Sequence, residues 1–188
     1  MKKTVFILFL TILSIPAFSQ QKGDLTVGAK GGYVYSPNYY NGILYGIDVA
    51  YSLSDPLEFV FTGMMNPNVL YTTQDGKQKT SEMLAVYSAN LDFRLYLIHQ
   101  QTWATGPALG GQYYIINHKT TNYLGTDKAL GFNIGWHVRV NLTDNLILNG
   151  GWRYTNAKVK DKKSQFNASF DRSYNLFYLG LAYSFELK

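Results

Sequence analysis

Leu130-Gly131-Phe132-Asn133-Ile134-Gly135-Trp136-His137-Val138-Arg139-Val140-Asn141-Leu142 is the stretch on which the fold turns. Its even-numbered positions are all apolar, and its odd-numbered positions are glycine, asparagine, histidine or arginine. Along a strand, successive side chains point to opposite faces, so this stretch presents one wholly apolar face and one small or polar face. A helix would scatter both sets around its circumference. Residues 130–142 are therefore predicted to be a strand between two different environments.

The same period-2 pattern recurs outward in both directions. Towards the N-terminus, Tyr45, Ile47, Val49, Tyr51 and Leu53 alternate with Gly46, Asp48, Ala50 and Ser52. Leu57, Phe59 and Phe61 alternate with Glu58, Val60 and Thr62, and Met83, Ala85, Tyr87, Ala89, Leu91, Phe93 and Leu95 with Leu84, Val86, Ser88, Asn90, Asp92, Arg94 and Tyr96. Towards the C-terminus, Leu146, Leu148, Gly150, Trp152 and Tyr154 oppose Asn149, Gly151 and Arg153. Phe177, Leu179, Leu181, Tyr183 and Phe185 oppose Tyr178, Gly180, Ala182 and Ser184. A run from Asp24 to Tyr35 alternates more weakly. In the run from Trp103 to Ile116, Pro107 and Gly110-Gly111 blur the parity, and a bulge fits there. That makes eight runs.

Their connections alternate in length. Short turns fall at Ser54-Asp55-Pro56, His99 to Thr102 and Thr143-Asp144-Asn145. Longer polar stretches fall at Ser36 to Gly42, Asn66 to Thr80, Asn117 to Lys128 and Asn156 to Asp171. Short–long alternation predicts an all-β fold: an eight-stranded antiparallel up-and-down transmembrane barrel, with turns at one end and loops at the other.

A soluble ligand-carrying barrel also alternates, but with its charged face outward. Here the polar face is not rich in Lys and Glu. It is Gly, Ala, Ser and Asn with single charges of both signs: Lys30, Asp48, Glu58, Asp92, Arg94, Arg139 and Arg153, together with His137. Small residues fit the narrow interior of eight strands, and opposite charges pair there. These eight residues are predicted to form a lumen charge network, with Tyr96 and Tyr178 among the bulky lining groups. Lysines gather instead in the proposed loops, as at Lys77, Lys79, Lys158, Lys160, Lys162 and Lys163. Aromatics such as Tyr33, Tyr35, Tyr51, Trp103, Tyr113, Trp152 and Tyr154 sit near strand ends, as interface girdles do.

The ends of the chain fit export. Lys2-Lys3, the apolar run Val5 to Phe18 and the small residues Ala17 and Ser19 read as a signal peptide cleaved after Ser19. The run is shorter than the roughly 20 residues of a helical span. Residues 20–188 then form one barrel domain. Export removes two of the 17 basic residues and none of the 12 acidic ones, leaving a net charge of +3. That is too mild to argue for nucleic acid. The absence of cysteine excludes disulfides and a lipid-bearing cysteine.

The segment Tyr178-Leu179-Gly180-Leu181-Ala182-Tyr183-Ser184-Phe185 resembles the C-terminal assembly signal of outer-membrane proteins, carried by Tyr178, Gly180, Tyr183 and Phe185. It departs from the common form in that Glu186-Leu187-Lys188 follow the last aromatic. The resemblance implies recognition by the barrel-assembly machinery. As a pattern, the mature chain resembles the porin-like outer-membrane barrels of the OmpX and PorT kind. This implies a cell outer-membrane location, contact with outer-membrane lipid, and functional diversity that leaves no activity named.

Catalysis finds little support. His99 falls in a turn and His118 in a loop, while His137 lies between Asn133 and Arg139 on the polar face. No nucleophile–base–orienter set accompanies it, and the His–Ser pairing of the lipid A deacylase type of barrel is missing. No metal-ligand spacing occurs, and no cofactor is expected. The expectation is a non-enzymatic barrel with a closed polar lumen and extracellular loops, in a structural or interaction role within an envelope complex. The alternatives are a small transporter for apolar solutes, which would need an apolar lumen, and a lipid-modifying enzyme.

Overall fold

The computed structural model describes residues 23–36, 41–75, 78–119, 124–160, 169–171 and 173–186. The predicted signal segment 1–19 lies outside them. Eight long strands follow one another: β1 (Leu25–Tyr35), β2 (Asn41–Ser54), β3 (Leu57–Asp75), β4 (Gln78–Leu95), β5 (Trp103–Lys119), β6 (Leu124–Asn141), β7 (Leu146–Lys160) and β8 (Tyr174–Phe185). Each pairs antiparallel with the next, and β8 also pairs with β1, from Leu25↔Phe185 to Tyr35↔Asn175. The sheet thus closes on itself and has no open edge along its wall. Two short extended pieces, Ile98–His99 and Ser169–Asp171, pair with β5 and β7.

Parity sets which side chain goes where. Along β6, Asn133, His137 and Arg139 are 2%, 1% and 6% exposed, while Phe132, Ile134 and Trp136 are 57%, 45% and 45% exposed. The same division holds on β8, where Phe177, Leu179, Leu181, Tyr183 and Phe185 are exposed and Tyr178, Ala182 and Ser184 are buried. An uninterrupted apolar exterior of this kind needs a nonpolar solvent to cover it.

The short turns are locally determined. Asp55-Pro56 reverses the chain between β2 and β3. Between β6 and β7 the Thr143 hydroxyl accepts from the backbone N–H of Leu146 at 3.0 Å, holding the bend in place.

The loop end differs from expectation. The β3–β4 ladder continues to Asp75↔Gln78 and the β5–β6 ladder to Lys119↔Leu124. Strand β7 runs on to Lys160. Much of the predicted loops Asn66–Thr80, Asn117–Lys128 and Asn156–Asp171 is therefore strand. Apolar alternation is needed only where one face meets lipid; beyond it, backbone pairing alone extends the hairpins.

The predicted bulge in β5 is also displaced. This strand keeps an unbroken register with β6 through Pro107 and Gly110-Gly111. On its other side, pairing passes from Arg94↔Ala108 to Ile98↔Thr105, three steps along β5 but four along its partner. The extra residue falls among Leu95 to Leu97, opposite Gly106-Pro107. Further register shifts lie at Ser52/Ser54 and Asn66/Val69.

Candidate functional site

The barrel interior consists of two stacked layers. At the turn end lies a polar layer that contains all eight charge-network residues, and Lys30, Asp48, Glu58, Asp92, Arg94, His137, Arg139 and Arg153 are all buried. They arrive from β1, β2, β3, β4, β6 and β7 by alternation alone. Glycines make room for them. A Cβ at Gly110 would collide with the Asp92 carboxylate, and one at Gly151 would lie 2.9 Å from the Tyr178 hydroxyl.

Three cations each hold one carboxylate. Lys30 Nζ sits 2.7 Å from Asp48 Oδ1, which also accepts from the Thr62 hydroxyl at 2.7 Å. Arg139 Nη1 donates to Glu58 Oε1 at 3.0 Å, and the Tyr96 hydroxyl donates to Glu58 Oε2 at 2.7 Å. Arg153 Nη2 donates to Asp92 Oδ2, whose other oxygen accepts from Asn133 Nδ2 at 3.2 Å. Such pairing with additional hydrogen bonds is what burial of charge requires.

Arg94 is the fourth cation. It lies 3.6 Å from both Asp48 and Glu58, and Nη1 is 3.3 Å from His137 Nε2. Because guanidinium only donates, this contact assigns the acceptor role to Nε2. His137 Nδ1 then carries the hydrogen that it gives to the Tyr178 oxygen at 3.0 Å. Tyr178 stacks on the His137 ring and lies beneath Lys30, 4.8 Å from its ring centre. Tyr178 belongs by sequence both to the terminal assembly motif and to the predicted lumen lining, and its side chain lies in the lumen network. Tyr183 and Phe185 of the same motif face outward, and Gly180 packs against the backbone of Ala29.

Above this layer the interior holds an apolar cluster. Val34, Leu44, Met64, Val86, Ile116, Ala129 and Leu176 form one buried cluster with Tyr114, Tyr174 and Tyr178. The rings of Tyr114 and Tyr174 stack with centres 5.9 Å apart, and Gln112 Nε2 donates to the Tyr174 oxygen at 2.6 Å. The expectation of a polar lumen is thus corrected: the interior also holds an apolar core, with Gln112 and Thr155 as polar groups beside it. The signal was present in short stretches apolar at both parities, such as Ile43-Leu44-Tyr45, Met64-Met65 and Tyr113-Tyr114-Ile115-Ile116. There one face meets lipid and the other meets this internal core.

A depression of about 1070 Å³ is lined by the outward-facing Ala29, Tyr45, Tyr87 and Tyr113 and by the buried Lys30, Met64 and Ser88. Among the described residues, no group of three or more His, Asp or Glu side chains could hold a metal ion. His99, predicted in a turn, lies exposed in the short extended piece paired with β5, its ring 6.3 Å from that of Tyr96, and the side chain of His118 lies outside the described residues.

No protein-family model matches this chain, and no curated protein matches it. Solved structures do. Neisserial surface protein A superposes with a TM-score of 0.63 at 14% identity, covering 88% of this chain and 98% of that one. The outer-membrane protein AlkL, solved in lipid bilayers, gives 0.62 at 17% identity over 93% and 96%. OprG, an outer-membrane protein of Pseudomonas aeruginosa, gives 0.60 at 11% identity over 90% and 100%. The fold is that of the small outer-membrane β-barrels. At these identities the likeness extends to architecture alone: a closed eight-stranded antiparallel wall, apolar outside, with no helix among its described elements.

Proposed function

We propose that this chain is an occluded outer-membrane barrel with a structural or interaction role, its turns in the periplasm and its loops outside the cell. The observation that carries this reading is the filled interior. A paired polar layer blocks one half of the lumen and a packed apolar layer blocks the other. Eight strands enclose space enough only for such side chains. The outer-membrane character of its structural neighbours supports the location.

The apolar layer is the feature an apolar-solute transporter would need, but Val34, Val86, Tyr114 and Ile116 are packed there as a core rather than lining a passage. Catalysis is no part of the proposal. His137 is enclosed by Arg94, Tyr178 and Tyr96, a setting that supports a packing role. The proposed contacts are outer-membrane lipid around the wall, the barrel-assembly machinery during biogenesis, and an envelope protein complex reached through the loops.

Planar-bilayer recording of the mature barrel tests the occlusion. No stable porin-like conductance is expected; reproducible large channels would overturn the reading. Affinity capture from detergent-solubilised envelopes tests the interaction role, with a stoichiometric envelope protein as the expected result.

A further inference from the structure

Within the polar layer, Arg94 differs from the other cations. Lys30 and Arg139 touch their carboxylates at 2.7 and 3.0 Å, and Arg153 binds Asp92 directly. Both carboxylate contacts of Arg94 are 3.6 Å, beyond a direct hydrogen bond. Four buried atoms around it make no hydrogen bond among the described residues: Arg94 Nε and Nη2, Asp48 Oδ2 and Asn149 Oδ1. Leaving such atoms unmatched in a dry interior is unfavourable. The same three residues line a cavity of about 20 Å³ inside the barrel.

We infer that this cavity is a hydration site: one water molecule bridges Arg94 to Asp48 and Asn149. Three features of the site select this ligand. The volume exceeds the roughly 10–15 Å³ that one water needs and leaves no room for a polyatomic guest. The unmatched atoms include both donors, on Arg94, and acceptors, on Asp48 and Asn149. Water serves both kinds at once, whereas a halide can only accept and would sit against the Asp48 carboxylate. Finally, Thr26, Glu58 and Tyr96 line the same cavity, so polar groups surround the site as a buried water requires.

A crystal structure of the mature barrel, grown with bromide in place of chloride, tests the site. The expected result is a single peak within about 2.7–3.2 Å of Arg94 Nη2 and Asp48 Oδ2, without anomalous bromide signal. A bromide peak there would replace water with an anion, and direct closure of Arg94 onto Asp48 without any peak would remove the site. In detergent micelles, the Arg94 Nε–H resonance, identified by its loss in Arg94→Lys, should show cross-relaxation with a long-lived water. Absence of that cross-peak would also overturn the inference.

Discussion

Arg153 on β7 reaches across the lumen to the carboxylate of Asp92 on β4, a residue 61 positions earlier in the chain. The two strands are not neighbours: β5 and β6 lie between them in the wall. The pair therefore ties opposite sides of the barrel together, and both members are buried. Removing one partner strands a charge in a medium that cannot solvate it.

Asp92→Leu should consequently lower stability by about 3–5 kcal/mol, the usual cost of orphaning a buried ion. Lys162→Leu, in a predicted loop, should stay within about 0.5 kcal/mol. The double variant Asp92→Leu/Arg153→Leu should recover much of the loss, because no lone charge is left. Thermal unfolding in detergent, followed by gel mobility, reads all three; equal effects of the two single changes would refute the interior assignment of Asp92.

Tyr113 and Tyr114 are adjacent in sequence but lie on opposite faces of the wall. Tyr114 is fully buried in the apolar layer, and Tyr113 is exposed on the exterior. Tyr114→Ala should cost about 3–5 kcal/mol, as large-to-small core changes do, and Tyr113→Ala far less. The reverse order in unfolding midpoints would mean that the strand's parity is misassigned.

His137 has ring and hydrogen-bond contacts but no accessible surface to offer a substrate. His137→Gln is expected to leave the host's lipid A composition unchanged by mass spectrometry while lowering the barrel's melting temperature. A changed acylation pattern would restore the enzyme alternative.

The final strand closes the wall. Tyr183 pairs with Val27 on one side and Leu146 on the other, and Phe185 pairs with Leu25. Deleting Tyr183 to Lys188 leaves these backbone groups unpaired at the membrane edge, each at several kcal/mol. The truncated chain should fail to accumulate in the outer membrane. Deleting only Glu186 to Lys188 removes no member of this ladder and should be tolerated. Cell fractionation distinguishes the two, and equal loss from both deletions would move the assembly signal to the chain end.

Which residues face in and which face out was legible in the sequence because parity is a local property. One residue's neighbour in the chain must take the other face, so Asn133, His137 and Arg139 were separable from Phe132, Ile134 and Trp136 without knowing any contact. The number of runs and the short turns followed from the same periodicity. The strand ends did not, because pairing outlasts the apolar pattern once a hairpin has left the lipid.

What only the tertiary structure decided is who meets whom across the lumen. Parity says that Asp48, Glu58 and Asp92 point inward with Lys30, Arg94, Arg139 and Arg153. It does not say that Lys30 takes Asp48, Arg139 takes Glu58, Arg153 takes Asp92 and Arg94 is held by none of them directly. Those matches depend on the height of each residue along the barrel axis, which the tilt and stagger of eight strands set together. The division of the interior into a polar and an apolar layer has the same origin. Leu44, Tyr114 and Leu176 are far apart in the chain, and they form one core only because closure brings their levels into register.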